Sequence, residues 1–126
     1  MDWTTLREEI YYTTNPTVQT ADFTLNLSKS VTNFESIDVY FKDDQLFSSV
    51  KRVYTSKSTG SVNFVLEMSK SSGVSNTIFV SSRRCIVNGT TLSVQTERNA
   101  VIANGSTPTV QTSGNFRIYR VVGNVN

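Results

Sequence analysis

The chain has 126 residues, enough for one domain with one core, and its 12 Lys and Arg against 10 Asp and Glu leave a net charge of +2. Because this charge is small and the basic residues are scattered, it gives no electrostatic basis for binding nucleic acid or an anionic membrane. The sequence contains no histidine, the commonest general base and metal ligand, and this counts against an enzyme.

The composition favours a folded β-domain. The chain contains 17 Ser, 17 Thr, 11 Asn and 16 Val, but only two Pro and six Gly. These residue types suit pleated, half-solvated strands better than helices or a disordered chain. No run approaches the roughly 20 apolar residues of a membrane-spanning helix, so we expect no membrane insertion. The acidic opening segment also lacks the pattern of an export signal.

The first element lies between residues 4 and 12. Thr5, followed three residues later by Glu8, has the spacing of a helix-capping box, so a turn of helix is one interpretation. The β-branched residues and the pair Tyr11-Tyr12 favour an edge strand instead.

Alternation of apolar and polar residues marks the strands that follow. Neighbouring residues of a strand point to opposite faces of a sheet, so each apolar set is expected to cover one face of a core. The sets are Phe23, Leu25 and Leu27; Ile37, Val39 and Phe41; Val62, Phe64, Leu66 and Met68; and Phe116, Ile118 and Arg120, with Arg117, Tyr119 and Val121 on the opposite face. Cys85 lies in another apolar run and is predicted to be a buried structural thiol. A single cysteine favours assembly in a reducing cytosol.

Turn residues separate these strands. Asn88-Gly89 is the strongest hairpin signal, because both central residues of a type I′ turn need positive φ. The other expected turns are Lys42–Gln45, Lys70–Gly73, Asn104–Ser106 and Gly114-Asn115. The pattern predicts about eight to ten short strands in an all-β, antiparallel β-sandwich of jelly-roll-like form, with residues 1–126 as a single domain.

The carboxylates are the remaining candidates for catalysis, since glycan-cleaving enzymes need only two. Glu8 and Glu9 would point to opposite faces of a strand, and Asp43-Asp44 lies in a predicted turn, so solvated charge is the expected state. The same is expected of Asp38, Glu67 and Glu97. A calcium site at Asp38, Asp43 and Asp44 lacks dense ligand spacing. We therefore expect a protein that binds or assembles, not an enzyme, with no cofactor and no metal.

Aromatic and arginine side chains are the best candidates for a binding site, because sugar-binding surfaces combine flat rings with polar groups. The candidate ligand-binding residues are Tyr11, Tyr12, Tyr54, Arg83 and Arg84, with Trp3, Tyr40, Asn15 and Gln45 as further possibilities. The alternative is that the rings cap the core or fill an interface between subunits.

Two longer stretches, Ala21–Tyr40 and Phe116–Gly123, resemble domains of bacteriophage tail-fibre or receptor-binding proteins. Within Ala21–Tyr40, a strand ends in Leu-Ser, a short loop carries Asn-Phe, and another strand follows. Phe116–Gly123 is similar to the last strand of such domains, and Trp3–Leu6 fits their first. The resemblance implies a β-sandwich in a virion appendage, assembled in the host cytoplasm, typically as a homotrimer that attaches to the host surface.

Three functions remain open from the sequence. The leading expectation is a tail-fibre or receptor-binding domain that recognises a bacterial surface glycan. A structural virion protein, such as a capsid decoration or head-fibre component, would instead have another virion protein as its partner. The third is a bacterial carbohydrate-binding or adhesin module.

Overall fold

The computed structural model describes residues 7–16, 21–43, 48–55, 61–72, 77–103, 107, 109–111 and 116–125. Within them the backbone forms ten strands and a short 3-10 helix, Val31–Asn33. The strands are β1 (Arg7–Tyr12), β2 (Phe23–Asn26), β3 (Ser36–Lys42), β4 (Ser48–Tyr54), β5 (Ser61–Ser72), β6 (Thr77–Asn88), β7 (Thr91–Val94), β8 (Arg98–Ala103), β9 (Thr109–Gln111) and β10 (Arg117–Asn124). Among these residues, no helix has the length and apolarity needed to cross a membrane.

The strands form two sheets in which every pairing is antiparallel. Sheet A has the order β1-β10-β3-β4. Sheet B has the order β2-β7-β6-β8-β9, and β5 pairs with the other side of β6. One hydrophobic cluster contains residues of both sheets, so the predicted all-β antiparallel sandwich is confirmed.

The predicted alternation accounts for most of this core. Ile37, Val39 and Phe41 are at most 2% exposed on the inner face of sheet A. Phe64 and Leu66 of β5 are the corresponding buried residues of sheet B. Burial of each such side chain contributes roughly 1.5–3 kcal/mol, so the two inner faces hold the sheets together. Cys85 is fully buried, as expected, and burial raises the pKa of its thiol to about 12.

The stretch from β2 to β3 has the predicted strand–loop–strand form. The loop contains the 3-10 helix and, directly after it, Phe34, which is 2% exposed. The Phe34 ring lies against Gly123 of β10, where a Cβ atom would come within 2.5–2.6 Å of the ring. Glycine at this position therefore allows the loop to pack directly on sheet A.

The predicted faces of the last strand hold for Phe116 and Ile118, which are both buried, but are wrong for Arg120 and Val121. The pairing of β10 with β3 shifts register between Ile118 and Arg120, so Tyr119 is an extra residue. Such a bulge breaks the two-residue period. As a result Ile118 and Val121 both face the core, whereas Arg120 lies on the outer face.

The strong hairpin signal is confirmed, but one residue later than predicted. Asn88 is still a strand residue and pairs with Thr91, so Gly89 and Thr90 form the turn. Gly89 has φ of +58°, which glycine adopts without strain. The expectation of uniformly short strands is wrong for β5 and β6, which have 12 residues each. Trp3–Leu6, Asp44, Gln45, Gly73, Asn104–Ser106 and Gly114-Asn115 lie outside the described residues.

Sheet B has two halves, because β6 is long enough to pair with two different strands along one edge. Cys85–Asn88 of β6 pairs with β7, whereas Thr77–Ser82 pairs with β8 along the same edge. We call the part made by β8, β9 and the paired ends of β5 and β6 the distal half of sheet B.

Candidate binding face on sheet A

The outer face of sheet A is built from rows of cross-strand neighbours. One row is Tyr12, Arg120, Tyr40 and Val50; the next is Glu9, Val122, Asp38 and Arg52; a third is Arg7, Asn124, Ser36 and Tyr54; and Arg117, Lys42 and Ser48 form the last. Because residues directly opposite each other on neighbouring strands point the same way, each row lies on one side of the sheet. We call this surface the tyrosine–arginine face.

A buried carboxylate organises the middle of the face. The side chain of Asp38 is 5% exposed. Its Oδ1 accepts a hydrogen bond of 2.8 Å from Arg52 Nε, and its Oδ2 accepts bonds of 3.0 Å from Arg52 Nη2 and 3.2 Å from Arg7 Nη2. The hydrogen bonds from Arg52, more than any other contact, lower the pKa of Asp38. One carboxylate thereby holds two guanidinium groups in place.

Aromatic rings and cations alternate beside the ion-pair cluster of Arg7, Asp38 and Arg52. The guanidinium of Arg120 lies 5.2 Å from the centre of the Tyr40 ring, and its Nε donates to Glu9 Oε2 at 2.8 Å. Arg7 Nη2 also donates to the hydroxyl of Tyr40 at 3.2 Å. Each contact restricts the rotation of a long side chain, so a ligand would meet groups that are already oriented.

The same arrangement continues to the end of the face. Lys42 Nζ lies 5.1 Å from the centre of the Tyr119 ring. The rings of Tyr40 and Tyr119 are 6.1 Å apart at a tilt of 57°. The bulge at Tyr119 places this ring and the next residue, Arg120, on the same outer side of the sheet.

The face is positively charged and presents exposed rings at both edges. It carries the cations Arg7, Lys42, Arg52, Arg117 and Arg120 and the carboxylates Glu9 and Asp38, a net charge of +3. The whole chain carries only +2, so the remainder is slightly negative. Tyr12 on edge strand β1 is 57% exposed, and Tyr54 on edge strand β4 is 70% exposed.

The structure divides the five predicted ligand-binding residues among three places. Tyr12 and Tyr54 lie on the tyrosine–arginine face, as does Tyr40. Tyr11 is half-buried, packs against the core, and has its pKa raised by burial. Arg84 is exposed on the outer face of sheet B, opposite Val65. Asn15 is also exposed, in the segment after β1.

Arg83 lies in the interior with 1% of its side chain exposed. Its Nε donates to the carbonyl of Gln95 at 2.9 Å, and its Nη2 donates to the carbonyl of Ala21 at 2.9 Å. The guanidinium also lies 4.9 Å from the centre of the Phe23 ring and 4.0 Å from Glu97 Oε1. Burial lowers the pKa of Arg83, and the charge of Glu97 opposes this shift. In this position Arg83 links chain segments and does not face a ligand at the surface.

The carboxylates differ from the expected solvated charges in three cases. Asp38, Asp43 and Glu97 are buried, and Glu97 Oε1 accepts a 2.8 Å bond from the Phe116 backbone N–H. The local sequence around Asp38 and Glu97 does not predict their burial, because their arginine partners lie on other strands. Glu8 and Glu9 do point to opposite sides: Glu8 pairs with Lys29 and Glu9 with Arg120. Within the described residues, no group of three or more Cys, Asp or Glu side chains could hold a metal ion.

Comparison of the chain with known protein families, with curated proteins and with solved structures finds no match. The resemblance to phage appendage domains therefore stays an expectation from the sequence.

Proposed function

We propose that the chain is a recognition domain that binds an acidic bacterial surface glycan through the tyrosine–arginine face. The observation that carries the proposal is the row Tyr12, Arg120, Tyr40 and Val50, in which rings and a guanidinium alternate across the sheet. Aromatic rings pack against the apolar faces of sugars, and guanidinium groups donate paired hydrogen bonds to carboxylates.

The charge of the face selects among glycans. A net charge of +3 on one surface favours uronic or sialic acids, or phosphate substituents, over neutral sugars. Asp38 and Glu9 hold the guanidinium groups in place before binding, so less side-chain entropy is lost when a ligand arrives. The face spans all four strands of sheet A, which suits repeated weak contacts along a polysaccharide.

A virion appendage is the setting in which such weak contacts become useful. Placement in a phage tail fibre or receptor-binding protein rests on the resemblance of Ala21–Tyr40 and Phe116–Gly123 to domains of those proteins. A homotrimer would present three copies of the face, and linked weak sites gain affinity by about 100-fold or more. The same face would also serve a bacterial carbohydrate-binding module.

Titration calorimetry with purified bacterial polysaccharides tests the proposal, one set acidic and one neutral. We expect binding of the acidic set, weakened by added salt because exposed charges are screened over about 10 Å at 0.1 M. Tyr54→Ser and Arg120→Gln should each weaken binding about tenfold. Arg84→Gln is the matched control, since it removes an exposed arginine from the other sheet. If the polysaccharides do not bind, or if Arg84→Gln weakens binding as much as Arg120→Gln, the face is not the site.

A structural virion role is the second candidate, and one observation favours it. Ile78, Ile102 and Val110 are 46%, 40% and 69% exposed in the distal half of sheet B. Exposed apolar residues that share one face are a mark of protein–protein contact.

A further inference from the structure

Strand β5 has an edge to which no described strand is paired. It pairs with β6 along all of Ser61–Ser72, whereas β7 and β8 share the opposite edge of β6. Among the described strands, none lies against β5 on the side away from β6. Such an edge presents a row of backbone N–H and C=O groups to which another strand can pair. We call this row, over residues 61–69, the β5 edge.

Alternate residues of β5 direct their backbone groups to this edge. The carbonyl of Arg84 in β6 accepts a hydrogen bond from the N–H of Gln95, which directly follows β7, so the backbone of Arg84 points away from β5. Val65 is the cross-strand neighbour of Arg84. Directly opposite residues of an antiparallel pair exchange both hydrogen bonds or neither. Val65, and with it Asn63 and Glu67, therefore directs its N–H and C=O to the β5 edge.

The other sheet edges carry features that hinder pairing. β2 and β9 have only four and three residues. β1 contains three charged residues and a register shift. On β4, Lys51 lies opposite the buried Val39, so an exposed charged side chain occupies the core side of that edge. Short strands, bulges and inward-pointing charges are the usual means by which proteins prevent edge-to-edge association.

The β5 edge has none of these features among its described residues. The pairing of β5 with β6 keeps one register over 12 residues. Glu67 is the one charged residue between positions 61 and 69, and it is exposed on the outer face. The core-side positions are all apolar, namely Val62, Phe64, Leu66 and Met68. A long, regular edge with an apolar core side indicates a place where another strand is added.

The sequence of this edge is complementary to itself in one antiparallel register. When Val65 lies opposite Val65 of a second copy, the core side pairs Val62 with Met68 and Phe64 with Leu66. All four core-side residues then have an apolar neighbour. On the outer side Glu67 lies opposite Asn63, so no like charges meet. Sliding the strands by two residues in either direction leaves Val62 or Met68 opposite a residue outside the apolar set.

We propose that the β5 edges of two copies of this chain pair in this register, about a two-fold axis that passes between the two Val65 residues. The axis is perpendicular to the sheet, so core-side residues meet core-side residues and sheet B continues through both copies. The two Val65 residues exchange backbone hydrogen bonds, and Asn63 exchanges them with Glu67. This contact closes at two copies, and it does not depend on glycan binding by the tyrosine–arginine face.

Sedimentation velocity of the full chain from about 1 μM to about 1 mM tests the pairing. The mass should rise from 14.0 kDa towards twice that value. Val65→Pro removes an N–H that points to the β5 edge and no hydrogen bond to β6, so it should weaken dimerisation at least about tenfold. Val65→Thr is the matched control, because it keeps the N–H and the branched side chain and should dimerise like the wild type.

Three outcomes of this measurement would overturn the proposal. They are a mass of 14.0 kDa at every concentration, a trimer of the kind that the resemblance to phage appendage domains implies, and a Val65→Thr chain that dimerises as weakly as Val65→Pro.

Disulfide cross-linking tests the register without a proline. Hydrogen-bonded neighbours on antiparallel strands have Cα atoms about 5.5 Å apart, which a disulfide can span. Val65→Cys should therefore form a covalent dimer on mild oxidation. Asn63→Cys alone should not, because its two Cα atoms would lie about 14 Å apart along the strands. A mixture of Asn63→Cys and Glu67→Cys should cross-link, since these positions lie opposite each other.

Non-reducing gel electrophoresis measures the covalent dimer. The native Cys85 is fully buried in the core and does not compete for cross-linking. No covalent dimer from Val65→Cys, or as much from Asn63→Cys alone as from Val65→Cys, contradicts the proposed register.

Discussion

Two arginine–carboxylate networks of the described residues lie in contrasting surroundings. In the interior, the side chains of Arg83 and Glu97 are each 1% exposed. On sheet A, Asp38 is 5% exposed, but its partners Arg7 and Arg52 are 56% and 54% exposed. Both networks therefore bury a carboxylate, and only the interior one also buries the cation.

This difference separates a structural ion pair in the core from an arginine cluster at the surface. Arg83 has exchanged its hydration for two carbonyl groups, the Phe23 ring and the charge of Glu97. Removal of one partner leaves the other charge in a medium of low polarity. Arg7 and Arg52 are about half exposed, so they stay accessible to a ligand while Asp38 holds their guanidinium groups in place.

The largest expected effect comes from Glu97→Gln. Glutamine keeps the size of the side chain and an oxygen that can accept from the Phe116 N–H, but it removes the negative charge that lies 4.0 Å from the Arg83 guanidinium. We expect the free energy of unfolding to fall by about 3 kcal/mol, as when one member of a buried ion pair is removed. Urea denaturation at pH 7 measures this change.

The double variant Arg83→Met/Glu97→Gln supplies the control for charge burial. Methionine is apolar and flexible, so the second substitution should recover part of the lost stability. A double variant less stable than Glu97→Gln alone would mean that the carbonyl contacts of Arg83, not its charge balance, dominate at this site.

A smaller loss is expected from Asp38→Asn. The substitution weakens three charge-assisted hydrogen bonds, yet the exposed arginines regain water when their partner becomes neutral. We expect a destabilisation of about 1–2 kcal/mol in the same urea assay. A loss as large as that of Glu97→Gln would show that the exposure of the cation makes no difference.

The pH dependence of stability gives a second measure of the contribution of Asp38. Its folded-state pKa is lowered by Arg52, whereas the unfolded chain has the ordinary value of about 3.9. The unfolded state therefore binds a proton first as the pH falls, and the stability from Asp38 is present above pH 4 and is lost as the pH falls through the folded-state pKa. The stability gap between the wild type and Asp38→Asn should be constant from pH 5 to 7 and should shrink towards pH 2. A gap that widens in acid contradicts the assignment.

These networks also show which features of the structure can be predicted from the sequence and which cannot. Alternation predicts the core positions of β2, β3 and β5, because a strand with one buried face repeats every two residues. It cannot give the register between distant strands. The ion pairs of Asp38 join β1, β3 and β4, and Arg83 donates a hydrogen bond to the carbonyl of Ala21. Both therefore depend on the pairing of strands, which the local sequence pattern does not predict.

The candidate site shows the same limit. The exposure of Tyr12 and Tyr54 can be predicted from the sequence, because both lie at strand ends, at positions where the alternation places polar residues. The cations between them are not, since each is an ordinary solvated residue on its own strand. Arg83 and Arg84 are neighbours in sequence, yet strand geometry directs one into the core and the other to solvent. The bulge at Tyr119 gives no signal in the alternation at all.

The smallest expected effect comes from an ion pair in which both partners are exposed. Lys29 Nζ lies 2.9 Å from Glu8 Oε1, and the two side chains are 53% and 42% exposed. Lys29→Ala should lower the free energy of unfolding by about 0.5 kcal/mol or less, because hydration and side-chain entropy offset most of the attraction. Sodium chloride at about 1 M should remove the difference from the wild type, since the screening length falls to about 3 Å. Asp38→Asn should keep most of its effect at that salt concentration, because its carboxylate is shielded from solvent. Equal salt sensitivity in the two variants would mean that the burial of Asp38 does not set its energetic role.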